Sequence, residues 1–192
     1  MVDIGNNAAI AATGAVLISS RNETAETSDQ NNTEAAGGVV SGSAAKSRAV
    51  ITGSSAVTFG DQVTVDSGTD PVSNPGGIWI GASSLLFSSD HVNLQTGGAI
   101  IGGGVDSSLD ATLTNSVDLG TNGAFRSVGN IGAGTWTIAS AEANAEISTW
   151  GVAGVGVADA SVEVTTDQAV TVGSGTQLEA FGNVNLTAGQ DS

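Results

Sequence analysis

The feature of this sequence that most restricts its fold is a three-residue unit, apolar–polar–apolar, that recurs along the chain between glycine-rich turns. It is read at Val57-Thr58-Phe59, Val63-Thr64-Val65, Val92-Asn93-Leu94, Val117-Asp118-Leu119, Trp136-Thr137-Ile138, Val162-Glu163-Val164, Val170-Thr171-Val172 and Val184-Asn185-Leu186, and in an all-apolar form at Leu85-Leu86-Phe87. A period of two places the outer pair of each unit on one face of a strand and the middle residue on the other. Turn signals separate the units, among them Gly60-Asp61, Asp66-Ser67-Gly68, Asn74-Pro75-Gly76-Gly77, Gly102-Gly103-Gly104, Gly173-Ser174-Gly175 and Gly182-Asn183. With 28 glycines in 192 residues and apolar residues drawn mainly from Val, Ile and Ala, the chain favours strands and breaks helices. An all-β fold with a thin core of small side chains follows.

The units are shorter than the strands of a sandwich and come in pairs or triplets with uneven gaps, which suits a chain winding into stacked coils. The expected architecture is a right-handed parallel β-helix, a β-solenoid. Internal similarity agrees: residues Ala49 to Gly60 align without gaps on Val162 to Gly173, an offset of 113. That offset is close to a whole number of coils of about 19 to 20 residues, which would give roughly nine or ten coils and a body about 45 Å long. Residues 1–192 are thus expected to form one solenoid segment, a fragment of a longer repeat protein. Arg21 to Glu34 is polar and without apolar periodicity, and is expected to be a surface loop. Ala8 to Ile18 reads as a strand segment rather than a signal-peptide core, because no basic residue precedes it. Ala139 to Ile147 could form a helix, but its glycine-rich continuation favours strand and bulge.

Net charge is −15, nineteen acidic residues against Lys46, Arg21, Arg48 and Arg126. Such a chain repels duplexes and anionic membranes, so neither nucleic-acid binding nor membrane insertion is expected. The absence of cysteine excludes disulfides and thiolate metal sites. Phosphate-loop, dinucleotide, nucleophile-elbow and zinc-protease motifs are missing, and His91 is the single histidine. No catalytic or cofactor-binding residue is assigned, and no enzyme activity is expected. The nearest approach to chemistry is Asp106, Asp110 and Asp118 with Arg126, weak Ca²⁺ candidates that solvated turn carboxylates explain more simply. Of the three tryptophans, Trp136 is expected to fill or cap the core. Trp79, between Ile78 and Ile80 and flanked by glycines, is the better candidate for an exposed ligand contact such as a sugar ring.

Val162 to Ser192, VEVTTDQAVTVGSGTQLEAFGNVNLTAGQDS, resembles the repeat of filamentous-haemagglutinin-like adhesins, particularly the leukotoxin-type filamentous adhesins exported by two-partner secretion. The resemblance rests on the strand Ala169 to Val172, the turn Gly173 to Thr176, Leu178 with Ala180, and the unit Gly182 to Gly189; it is weaker over Val57 to Gly68 and Val92 to Gly97. It implies a long right-handed parallel β-helix, secreted or held at the bacterial cell surface, that carries binding regions away from the cell. It carries no catalytic residues, and the family's amino-terminal secretion domain is missing from this sequence. The expected function is accordingly a structural or adhesive solenoid module, with a self-assembling fibre or matrix subunit and a carbohydrate-active β-helix enzyme as alternatives. Expected partners are neighbouring repeats, axial copies of the chain, and host or surface glycans. Thr187 to Ser192 follows the last strand unit without a capping helix, so that edge is expected to be bare.

Overall fold

Two columns of turn residues set where the strands begin and end. The first is Gly5-Asn6-Asn7, Gly60-Asp61-Gln62, Gly120-Thr121-Asn122 and Gly173-Ser174-Gly175, whose last members Asn7, Gln62, Asn122 and Gly175 all have φ between 51° and 74°. Glycine and asparagine reach this left-handed region at low cost. The second column, Gly14, Gly76, Gly129 and Gly182, precedes the apolar residues Val16, Ile78, Ile131 and Val184. Each column is a stack. A side chain at Gly120 would collide with the backbone carbonyls of Phe59 and Gly60, so only glycine admits the layer beneath.

The computed structural model describes residues 1–35 and 40–191. Its strands are β1 (Val2–Ile4), β2 (Ala9–Ala12), β3 (Val16–Ala35), β4 (Val40–Phe59), β5 (Thr64–Ser67), β6 (Ile78–Asp118), β7 (Ala124–Ser127), β8 (Ile131–Thr171), β9 (Gln177–Ala180) and β10 (Val184–Asp191). The chain is all-β, with strand over about four-fifths of the described residues and no helix among them. Every pairing between these strands is parallel. One sheet runs β1-β4-β6-β8-β10 with β3 beside β6, and the other runs β2-β5-β7-β9.

The step between layers is 55 residues from β1 to β4 and from β2 to β5, 62 from β3 to β6, 60 from β4 to β6 and from β5 to β7, and 53 beyond. Ile78 pairs with Ile131 and Ile131 with Val184, each 53 residues on, as do Val117 with Val170 and Ala124 with Gln177. Where the step is 60, as from Ser67 to Ser127, the difference is a seven-residue insertion, Thr69 to Pro75. Within it the Asp70 carboxylate accepts hydrogen bonds from the Val72 and Ser73 amides and the Ser73 hydroxyl, which hold it below the usual carboxylate range. The layers are therefore far longer than the 19 to 20 residues expected. The 113-residue similarity spans two of them, Val57 pairing with Val117 and Val117 with Val170, in steps of 60 and 53. Periodicity at the strand level hid this, because one layer holds several short units that look alike.

β6 and β8, at 41 residues, are not straight. Ser107 donates to Asp90 at 2.5 Å and Ser84 to Asn115 at 2.7 Å, contacts within β6 that require the strand to run out and fold back. The turn lies near Ala99 and Val152, the positions at which the otherwise continuous β6–β8 register is interrupted. Each layer thus consists of a base and a long two-walled arm whose walls meet through inward side chains.

Three apolar clusters fill this interior. The largest occupies the base, around Val57, Phe59, Val65, Ile78, Leu119, Phe125 and Ile131, with the Phe59 and Phe125 rings edge to face at 5.1 Å. Two smaller ones lie along the arm: Leu86, Leu109 and Leu113, then Val92, Leu94 and Val105. Polar groups separate them. Between the first two, buried Asn115 accepts from Ser84 and donates to the Thr137 hydroxyl and the Trp136 carbonyl. Between the second and third, fully buried Asp90 accepts from Ser47 at 2.6 Å and from Ser107.

Several expectations change. Arg21 to Glu34 is not a loop but lies in β3, paired residue for residue with Ser83 to Thr96 of β6. The polar side chains of Arg21 to Asp29 are tolerated because β3 belongs to an outer layer, where the neighbouring strand supplies the backbone partners. Ala139 to Ile147 is strand, as its glycine-rich continuation suggested. In Leu85-Leu86-Phe87 the middle residue faces in and Phe87 is exposed, and in Trp136-Thr137-Ile138 the buried residue is Thr137. Asn115 decides the second case by offering Thr137 a buried hydrogen bond. Ser192 lies outside the described residues.

Asn115→Ala would leave the Ser84 and Thr137 hydroxyls buried without their partner, and is expected to cost about 2–3 kcal/mol. Thr114→Ala, at the adjacent exposed position, should change stability by less than about 0.5 kcal/mol. Urea unfolding midpoints compare the two; equal effects would show that position 115 does not face the interior.

Candidate functional site

On the outer face of the arm near its base, parallel pairing stacks Leu17, Trp79, Gly132 and Asn185 in one column and Ser19, Gly81, Gly134 and Thr187 in the next alternate one. Trp136 stands two positions further, above Ser83. Each indole lies on a glycine of the neighbouring layer. A Cβ at Gly132 would fall 2.5 Å from Cε3 and Cζ3 of Trp79, and one at Gly81 would fall 2.8 Å and 2.9 Å from Cζ3 and Cη2 of Trp136. Glycine here is what lets a bulky ring lie flat on the sheet, and the ring in turn shields backbone that glycine leaves bare. Trp150 is laid over Gly97 in the same way nearer the tip.

The two rings border a groove of about 260 Å³, lined also by the backbone of Gly134, which neither ring covers, and by Ser19, Asn185 and Thr187. All its lining residues are uncharged. Trp79 is 46% exposed, in keeping with its reading as an outward residue, and Trp136 is 39% exposed. The placement of Trp136 in the core is therefore corrected: the inward position belongs to Thr137, and alternation sends Trp136 outward. A tryptophan and a glycine 53 residues apart, Trp79 with Gly132 and Gly97 with Trp150, is the sequence signal that would have found this arrangement.

The carboxylates do not gather. Asp106 and Asp110 lie four residues apart on the return wall of β6, on the order of 13 Å along a strand, and Asp118 lies further on. Lys46 Nζ is 3.2 Å from Asp106, and Arg48 Nη2 is 2.8 Å from Asp110. Asp118 accepts from the Gly120 amide at 2.9 Å. Arg126 is in the other sheet, between Asp66 at 3.6 Å and Glu179 at 3.3 Å, a ladder of alternating charge across three layers. His91 is half-buried, stacked between Asp29 and Asn144. Among the described residues no three His, Asp or Glu side chains converge to hold an ion. Asp90 is the ionisable group that composition alone did not single out; its two serine partners lie 43 and 17 residues away, beyond the reach of any local motif.

Exposed ion pairs of this kind contribute about 1 kcal/mol or less. Asp106→Asn and Asp110→Asn are therefore expected to shift the unfolding midpoint little, and millimolar Ca²⁺ not to shift it at all. Stabilisation by Ca²⁺ that disappears in Asp106→Asn would restore the carboxylates as a metal site. No protein-family model, curated protein or solved structure matches this chain.

Proposed function

We propose that the chain is a segment of a right-handed parallel β-solenoid acting as a structural and display module in a large secreted or surface-displayed bacterial adhesin. The observation that carries this reading is the state of the outer layer. Leu109 is fully buried, whereas Val162, stacked on it in the next layer, is 44% exposed. Ala158 and Ala160, stacked on buried Val105 and Ser107, are likewise exposed. Among the described residues, β10 pairs with β8 only from Ile131 to Thr137, so the rest of that edge carries unpaired backbone and uncovered apolar side chains. A further layer of the same kind would satisfy both. Neighbouring repeats, or an axial copy of the chain, are the partners this edge fits.

The resemblance of Val162 to Ser192 to filamentous-haemagglutinin-like repeats supports the adhesin assignment, and the dispersal of the carboxylates supports a scaffold over a carbohydrate-active enzyme. A fibre or matrix subunit would use the same edge.

Association should be axial and should strengthen with salt, because the −15 charge opposes contact over a Debye length of about 8 Å at physiological ionic strength. Light scattering with negative-stain imaging across a salt series should show head-to-tail oligomers or thin filaments. Val162→Lys, which places a charge at an inward position of the open edge, should abolish them. A wild-type chain that stays monomeric at high concentration and high salt would overturn the module reading.

A further inference from the structure

We propose that the groove between Trp79 and Trp136 binds a neutral hexopyranose glycan. This inference deepens the display-module reading and rests on it for the biological setting, though not for the chemistry. The two indoles come from different layers, each has one side on glycine backbone, and each remains substantially exposed. Rings seated in this way lose little freedom on binding. A pyranose presents an apolar C–H face that packs on an indole and an equatorial edge of hydroxyls that needs donors and acceptors. The first requirement is met by the two walls. The second is met by Asn185, Thr187 and Ser19 at the rim.

Charge selects the class of sugar. The groove holds neither a cation to pair a sulfate or uronate nor a carboxylate to pair an amine, and the chain as a whole carries −15. A charged ligand would give up hydration there without compensation. Gly134, with no side chain of its own and no indole over it, leaves room beside the two rings for a sugar to settle against them. At about 260 Å³ the groove is slightly smaller than the ~300–1,000 Å³ of typical small-molecule sites, which suits one or two rings of a longer chain rather than an enclosed monosaccharide.

The test titrates the intact chain with neutral gluco-, galacto- and manno-configured hexasaccharides and with a heparin-derived hexasaccharide, followed by tryptophan fluorescence and calorimetry. At least one neutral hexasaccharide should bind saturably. Trp79→Ala and Trp136→Ala should each weaken it roughly tenfold or more, while Trp150→Ala, outside the groove, should leave affinity within about twofold. Gly134→Ala gives an independent variant: its Cβ would lie 3.4 Å from the Thr187 carbonyl, an ordinary contact, so the fold is kept while the room beside the rings is filled and binding weakens. Circular dichroism verifies that each variant is folded. Binding of heparin alone, binding of no neutral hexasaccharide, or binding that survives both tryptophan changes would overturn the proposal. Axial association measured on the same variants separates the outcomes, since retained association without sugar binding removes the groove and leaves the module.

Discussion

Everything in this structure depends on parallel backbone pairing held in register at steps of 53 to 62 residues. A parallel ladder fixes which residue sits on which, so each position belongs to a column and its neighbours in that column are decided by sequence alone. A one-residue slip would exchange inward and outward faces along a wall that runs about twenty residues. The columns are accordingly matched in kind: glycine on glycine at the turns, Ile78 on Ile131 in the base, and Asp66, Arg126 and Glu179 alternating in charge on the short sheet.

The interior of the arm shows how that register is protected. Its apolar clusters are small, built largely from Leu, Val and Ala, and alone would tolerate sliding. Asn115 and Asp90 do not, because each is buried and its hydroxyl partners come from the opposite wall or the adjacent layer. A slip would leave them unpaired, at a cost of about 1–3 kcal/mol for each buried polar group that loses its partner. The turn columns act in the same sense at the base, where the Asn6 side chain accepts from the Asp61 amide and the Asn130 side chain from the Asn183 amide, both at 2.8 Å. On the outside the same stacking lays tryptophans over glycines, so the candidate ligand surface is a product of the repeat and not an addition to it.

Much of the fold was legible in the sequence. The all-β class followed from glycine content and Val-Ile-Thr patterning, and the pairing of Ala49–Gly60 with Val162–Gly173 correctly identified residues that share columns. The layer length did not follow, because the short units repeat several times within a layer and the intervening copy of this column, Leu109 to Gly120, carries Leu113, Ser116 and Asp118 where the other two copies have Gly53 and Thr166, Ala56 and Ala169, and Thr58 and Thr171. The turn stacks Gly60-Asp61-Gln62, Gly120-Thr121-Asn122 and Gly173-Ser174-Gly175 held the missing period, obscured by the insertion Thr69 to Pro75. The face of Trp136 was illegible for a different reason. An apolar–polar–apolar unit reads as apolar inward, and only a partner 22 residues away, Asn115, makes burial of Thr137 the better choice. The exposed position of Trp79 was anticipated from its glycine-rich surroundings, and the structure adds what those glycines are for.

The register itself is open to a direct measurement, aided by the absence of native cysteine. Thr112 and Thr165 are both exposed and directly paired, so cysteines placed there should lie within the ~4.4–6.8 Å Cα separation a disulfide needs. Ser140 and Ala160, twenty residues apart, stand above exposed Phe87 and buried Ser107 and so belong to opposite faces of their walls. Under mild oxidation the Thr112→Cys/Thr165→Cys chain should form an intramolecular disulfide nearly completely, and the Ser140→Cys/Ala160→Cys chain should remain reduced. Cross-linking of the second pair but not the first, in chains whose circular dichroism is unchanged, would contradict the 53-residue layer and everything built on it.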